Sequence, residues 1–156
     1  MNPKWHNLYL DIADRLAQES HAVRLKVGAV FVSPDGIMST GINGLPAGAS
    51  NVCEESVIIG ITETIDMHGN KSSQHEYGLK TLPHVNHAEE NLFGKIMQQG
   101  ISAKGGRIYI THAPCMQCAK IIVVAGISEV HYRREYRTIG NGVSWLLQNN
   151  IKVLRG

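Results

Sequence analysis

The run RIYITHAPCMQCAKIIVVAGISEVHY, residues 107–132, decides the fold. Its opening, 107–111, is short and rich in aromatic and β-branched side chains, which reads as a buried strand. Pro114 then introduces a helix over 115–125, because a proline in the first turn forfeits no helical hydrogen bond and already has the right φ. Gly126 ends that helix. Residues 129–132 return to strand, 143–148 carry helical spacing, and 151–154 form a last strand. The second half therefore alternates β-α-β-α-β, an order that calls for parallel strands joined by crossover helices.

Upstream, Trp5, Leu8, Tyr9, Ile12, Ala13 and Leu16 recur at three- and four-residue intervals, the stripe of an amphipathic helix running to about residue 18. Residues 27–32 and 37–42 are β-prone runs around the turn Ser33-Pro34-Asp35-Gly36, an antiparallel hairpin. Residues 91–99 are helical again and close at Gly100. The reading is an α/β domain spanning 1–156 as one unit. Between about 44 and 86 the pattern weakens, and that stretch is taken as a long loop insertion in which residues 57–61 form a short helix or strand.

Composition narrows the function classes. The 156 residues are 43% hydrophobic, enough for one domain with a core. Fifteen Lys plus Arg face thirteen Asp plus Glu, and the longest basic run is Arg133-Arg134. A nucleic-acid reader is usually more basic, so no nucleic-acid partner is expected. Trp5, His6 and Asn7 stand where a secretory leader needs apolar residues, and no stretch approaches the ~18 apolar residues of a membrane span. A cytoplasmic location follows, host cytoplasm if the source is viral, with no membrane partner. Three cysteines, two of them at C-x-x-C spacing, fit metal ligation better than a disulfide framework.

The chemistry concentrates in His87-Ala88-Glu89 and Pro114-Cys115-Met116-Gln117-Cys118. Cys115 and Cys118 at a helix start face one way, near the positive helix end that favours thiolate. With His87 they make a three-ligand zinc set that leaves one position open, the mark of a hydrolytic rather than a structural site. Zinc in such a site lowers the pKa of bound water from 15.7 to about 7. Glu89, two residues from a ligand, is the candidate proton carrier, a role typically worth on the order of 10² to 10⁴ in rate. A redox pair would need neither His87 nor Glu89. A structural zinc would need a fourth ligand, for which Cys53 or a loop histidine could serve. Glu90 reads as a solvated first-turn carboxylate, and His6 and His131 as surface or strand histidines.

H-x-E with P-C-x-x-C is the signature of the zinc nucleobase deaminases. Together with Lys26-Val27-Gly28-Ala29-Val30, the run from Thr40 through Gly41, Ile42, Asn43 and Gly44 to Gly48, Tyr109-Ile110-Thr111 and Ala125-Gly126-Ile127, it makes the chain resemble the zinc-dependent cytidine deaminase superfamily. Within it, the chain resembles the deoxycytidylate (dCMP) deaminases, phage-type members included. The resemblance implies a three-layer α/β/α, cytidine-deaminase-like fold with a five-stranded mixed β-sheet. It implies hydrolysis of dCMP to dUMP and ammonia, supplying dUMP for thymidylate synthesis, with one catalytic Zn²⁺ on His87, Cys115 and Cys118 and Glu89 relaying protons. It also implies substrate contacts at Asn43, at Thr111, Ala113 and Pro114, and at Tyr136. Arg24 and Lys26, just before the first strand, are the candidate phosphate contacts.

Relatives of this type are often homohexamers activated by dCTP and inhibited by dTTP, through a Gly-Tyr-Asn-Gly motif that here reads Gly41-Ile42-Asn43-Gly44. The missing tyrosine ring removes a stacking or hydroxyl contact. A triphosphate nucleotide would bring Mg²⁺ with it. Some phage-type relatives carry a second, structural zinc, for which Cys53 and His75, with His21 or His84, are the candidates. Three other functions share the zinc residues: deamination of dCTP, deamination of a tRNA or single-stranded DNA, and a zinc-stabilised interaction module without catalysis. Two Trp, five Tyr and two Phe, with no basic-aromatic cluster, disfavour a strand channel. Small free-cytidine enzymes of the superfamily usually carry cysteine where His87 stands.

Overall fold

The computed structural model describes residues 3–68, 70–135 and 142–156. Helix α1 (Pro3–Ala17) leads into strands β1 (Gly28–Val32) and β2 (Met38–Ile42), then β3 (Glu54–Ile65) and β4 (Lys71–Thr81). Helix α2 (Ala88–Gln98), strand β5 (Arg107–His112), helix α3 (Met116–Val124), strand β6 (Glu129–Arg134), helix α4 (Gly142–Gln148) and strand β7 (Lys152–Arg155) follow. One sheet has the order β2-β1-β5-β6-β7. Its β2–β1 and β1–β5 pairs are antiparallel, and its β5–β6 and β6–β7 pairs are parallel. This is the five-stranded mixed sheet that the resemblance implied.

Alternation in β1 sends Ala29 and Phe31 to one face, where α2, α3 and α4 pack through Leu92, Phe93, Ile96, Ile122 and Leu146. Val30 and Val32 go to the other face, with Tyr109, and meet Leu10 and Ala13 of α1. Every residue of β1 is buried, as a central strand covered on both sides requires. Gly126 has φ +74° just past α3, and Ile127 N–H donates to Ile122 O while Gly126 N–H donates to Val123 O. That is a Schellman ending, which satisfies the last carbonyls and turns the chain into β6.

Gly41 in β2 faces the first turn of α2. A Cβ there would lie 2.1 Å from the Ala88 carbonyl oxygen, so only glycine lets that helix start sit this close to the sheet.

The stretch 44–86 departs from the sequence reading. Most of it is a two-stranded antiparallel sheet of twelve and eleven residues, and not a long loop with a short element at 57–61. The register slips between Ile58 and Gly60, a β-bulge at Ile59. The bulge shifts the apolar alternation halfway along β3 and hides a period of two from a fixed-window reading.

Candidate active site

His87 and Cys115 each occupy the position that caps a helix, α2 and α3 respectively, both with extended backbone. The His87 N–H donates to Glu90 Oε2 at 2.6 Å, which closes the first turn of α2 and gives Glu90 a local capping role. Cys115 Sγ accepts from Cys118 N–H at 3.5 Å. Two helix starts thus converge and bring His87, Cys115 and Cys118 together.

His87 Nδ1 lies 3.5 Å from Cys115 Sγ and 3.3 Å from Cys118 Sγ. Bond lengths of ~2.3 Å to sulfur and ~2.05 Å to nitrogen at a tetrahedral angle place such ligand atoms about 3.6 Å apart, so the donor set has the size and chemistry of a zinc site. The hydrogen bond from Cys118, with a further one from His87, pulls the Cys115 thiol down to about 4, the thiolate that a metal takes. The same contact and burial push the Cys118 thiol up.

A cavity of about 580 Å³ opens over His87 and Cys115, in the size range of a small-ligand site. Glu89 lies in its wall, 4% exposed, and burial pushes its carboxyl up to about 7. Arg24, Asn43 and Ala113 line it as the sequence anticipated. The Asn43 side chain ties the wall together, accepting from Val27 N–H at 2.8 Å and donating to Leu25 O at 2.7 Å. Arg24 donates from Nη1 to Thr81 Oγ1 at 2.9 Å. Its backbone N–H, with that of Val23, is held by Glu54 Oε1.

Other anticipated contacts lie elsewhere. Lys26 is exposed and donates to Gln18 O at 3.1 Å, and it does not line the cavity because its strand lead-in turns it toward the end of α1. Thr111 is wholly buried behind the wall, its hydroxyl accepting from Gly28 N–H at 3.3 Å. The Pro114 carbonyl packs against Gly142, where a Cβ would come within 2.2 Å. Tyr136 falls outside the described residues. Gly41, Ile42 and Gly44 hold the start of α2. Asn91 Nδ2 donates to the Ile42 and Gly44 carbonyls, and Gly44 and Asn86 exchange backbone hydrogen bonds.

Glu54, Thr81, Asn86, His112 and Arg134 also line the cavity and escaped the sequence reading. Glu54 and Thr81 open and close the unrecognised hairpin, and Arg134 ends a strand whose continuation past the sheet edge has no local signature. His112 had a usable signal in its place between Thr111 and Pro114, in a loop already read as cavity-lining.

The second zinc set is not assembled. Among the described residues, no group of three metal-ligating side chains includes Cys53 or His75. Cys53 is buried with Ala22 and Val85, while His75 pairs with Ile61 about 20 Å up the hairpin at ~3.3 Å per residue. The other group that does form is His6, Glu129 and His131 on the α1 face. There the two imidazoles stack at 4.2 Å, and Arg107 and Lys152 already hold the Glu129 carboxylate. No helix among the described residues is long and apolar enough to cross a membrane.

The family profile "Cytidine and deoxycytidylate deaminase zinc-binding region" matches residues 3–134. Deoxycytidylate deaminase of Enterobacteria phage T4 is 32% identical over 90% of this chain and 83% of its own length. ComE operon protein 2 of Bacillus subtilis is 31% identical over 86% of this chain, which spans 61% of that relative. The crystal structure of dCMP deaminase from the cyanophage S-TIM5, in complex with dCMP and dUMP, superimposes with a TM-score of 0.80 at 33% identity, covering 100% of this chain and 99% of that one. With its fold, its three convergent ligands and its buried glutamate, the chain belongs to the cytidine and deoxycytidylate deaminase family and carries a zinc-dependent hydrolytic deaminase site.

Proposed function

We propose that the protein hydrolyses dCMP to dUMP and ammonia. The observation that carries this is one cavity lined by His87 and Cys115 of the His87–Cys115–Cys118 ligand cluster, by the buried Glu89 carboxyl and by Arg24. A zinc ion held by His87, Cys115 and Cys118 would supply a Lewis acid that activates water at neutral pH. Glu89 takes one proton from the attacking water and gives it to ring N3, then takes the second from the new C4 hydroxyl and gives it to the amine, which leaves C4 as ammonia. One C–O bond forms, one C–N bond breaks, and Glu89 ends as it began. Its burial excludes competing water and strengthens each proton transfer. Arg24, exposed at the mouth and tethered through its backbone to Glu54, offers the charge for a 5′-phosphate.

Support for dCMP over other cytosine substrates comes from the phage deoxycytidylate deaminases that the chain resembles along most of its length. Activation by dCTP, inhibition by dTTP, and a hexameric assembly belong to the same reading, supported by the resemblance around Gly41 to Gly44. The test is ammonia release from dCMP, dCTP, deoxycytidine and a cytosine-containing single strand, each with and without dTTP. The reading expects turnover of dCMP that dTTP depresses. Preferential turnover of the strand would replace it with a polynucleotide deaminase, and no turnover of any substrate by zinc-loaded protein with a non-catalytic module.

A further inference from the structure

The β3–β4 hairpin projects from the domain: among the described residues its strands pack mainly on each other and are tied to the body at their base. A lone two-stranded ribbon is marginal in water, so one this long needs a cover. Its two faces differ. The register places Ile58, Tyr77 and Leu79 on one face, and the bulge at Ile59 brings Ile61 and Ile65 to that same face. These five large apolar side chains are 45 to 66% exposed. The opposite face carries Glu55, Thr62, Thr64, Ser72, Gln74, Glu76 and Lys80, with Lys80 paired to Glu55 and Thr64 bonded to Ser72, and its apolar residues are Val57 and Ile59, which lies over Gly78. An amphipathic ribbon with its apolar face in water exposes on the order of several hundred Å², the size of a recognition patch.

We infer that this face is covered by the same face of a second copy of the chain, the two hairpins lying antiparallel so that each tip reaches the other's base. The charges on the apolar face support it. Lys71 and Glu63 sit toward the tip, while Glu54 sits at the base beside Arg24. Reversing one hairpin over the other brings Lys71 to the partner's Glu54 and Glu63 to the partner's Arg24, opposite signs at both ends. The reverse direction also keeps the two domain bodies apart, whereas tip-on-tip stacking would drive them together. Such a contact is isologous and closes on itself, and it would place one copy's hairpin tip at the mouth of the other's cavity, where Glu54, Thr81 and Arg24 stand. The inference rests on the hairpin alone, and its readouts involve no turnover.

Sedimentation velocity of the zinc-loaded protein tests it, with Ile58→Lys/Tyr77→Glu against the opposite-face control Thr62→Lys/Gln74→Glu. Zinc content and circular dichroism serve as the check on folding. Wild type and control are expected to sediment at twice the chain mass of 17.1 kDa or more, and the apolar-face variant at a lower order. A wild type that stays monomeric at tens of micromolar, or an apolar-face variant that assembles like wild type, overturns the inference. Zero-length carbodiimide coupling tests the direction. Within one chain Lys71 and Glu54 lie roughly 30 Å apart along the ribbon, so a Lys71–Glu54 amide forms only between copies. Its absence in an assembling wild type rules out the antiparallel packing.

Discussion

At the scale of single residues, the site separates ligands from substrate contacts. His87→Ala and Cys115→Ala each remove one of three donors, and both variants are expected to purify with less than a tenth of the wild-type zinc. Full metal occupancy in either would reassign the ligands. Arg24, which lines the cavity and is proposed above to meet the 5′-phosphate, makes a different prediction. Arg24→Ala should lower kcat/KM for dCMP by about 10- to 100-fold, the size of a lost charge-assisted hydrogen bond, and leave deoxycytidine turnover unchanged. An equal loss on both substrates would place Arg24 in the architecture of the wall. Lys26, bonded to Gln18 at the end of α1, should tolerate alanine with little effect on either substrate.

At the scale of elements, the β-α-β-α-β half was legible because each change of period coincides with a terminator: Gly100 after α2, Pro114 before α3, Gly126 after it. The zinc ligands were legible for a related reason, since ligand spacing at a helix start is local information. The β3–β4 hairpin was not, because a single bulge shifts its alternation and no core contact marks one face as buried. Glu54 and Thr81 were lost with it. The role of Gly41 also lay outside the sequence reading, since the close approach of Ala88 is a tertiary fact. Gly41→Ala is expected to destabilise by about 1–3 kcal/mol, seen as a lower Tm, because backbone must move to admit the methyl. It should lower activity too, as α2 carries His87 and Glu89. A Tm equal to wild type would show that the helix start has slack.

The docking of α1 makes a pH prediction. Burial raises the Asp14 carboxyl, but hydrogen bonds from Arg134 and Arg133 outweigh it and leave it below the ordinary aspartate value. A carboxyl depressed in the folded state contributes its full stability above the unfolded pKa, near 3.8, and loses it as pH falls through the folded value. The contribution is on the order of 1 kcal/mol for a partly exposed pair. Asp14→Asn should therefore lower stability at pH 7 and flatten the decline on the acid side below pH ~4, as read by urea unfolding across pH. An unchanged acid limb would remove Asp14 from the linkage.

At the scale of the whole molecule, a mixed sheet brings the starts of α2 and α3 to one end and covers both its faces with helices. The cavity lies at that end, and its wall continues into the base of the hairpin. The central claim is that this end performs hydrolytic chemistry through Glu89. The most direct measurement is conversion of dCMP to dUMP by zinc-loaded wild type beside Glu89→Gln, with zinc quantified in both. We expect wild-type turnover, and a variant with the same zinc content whose kcat is lower by a factor of ~10² or more. A glutamine variant that keeps its zinc and turns over dCMP at near wild-type rate would contradict the assignment of Glu89 and the mechanism built on it.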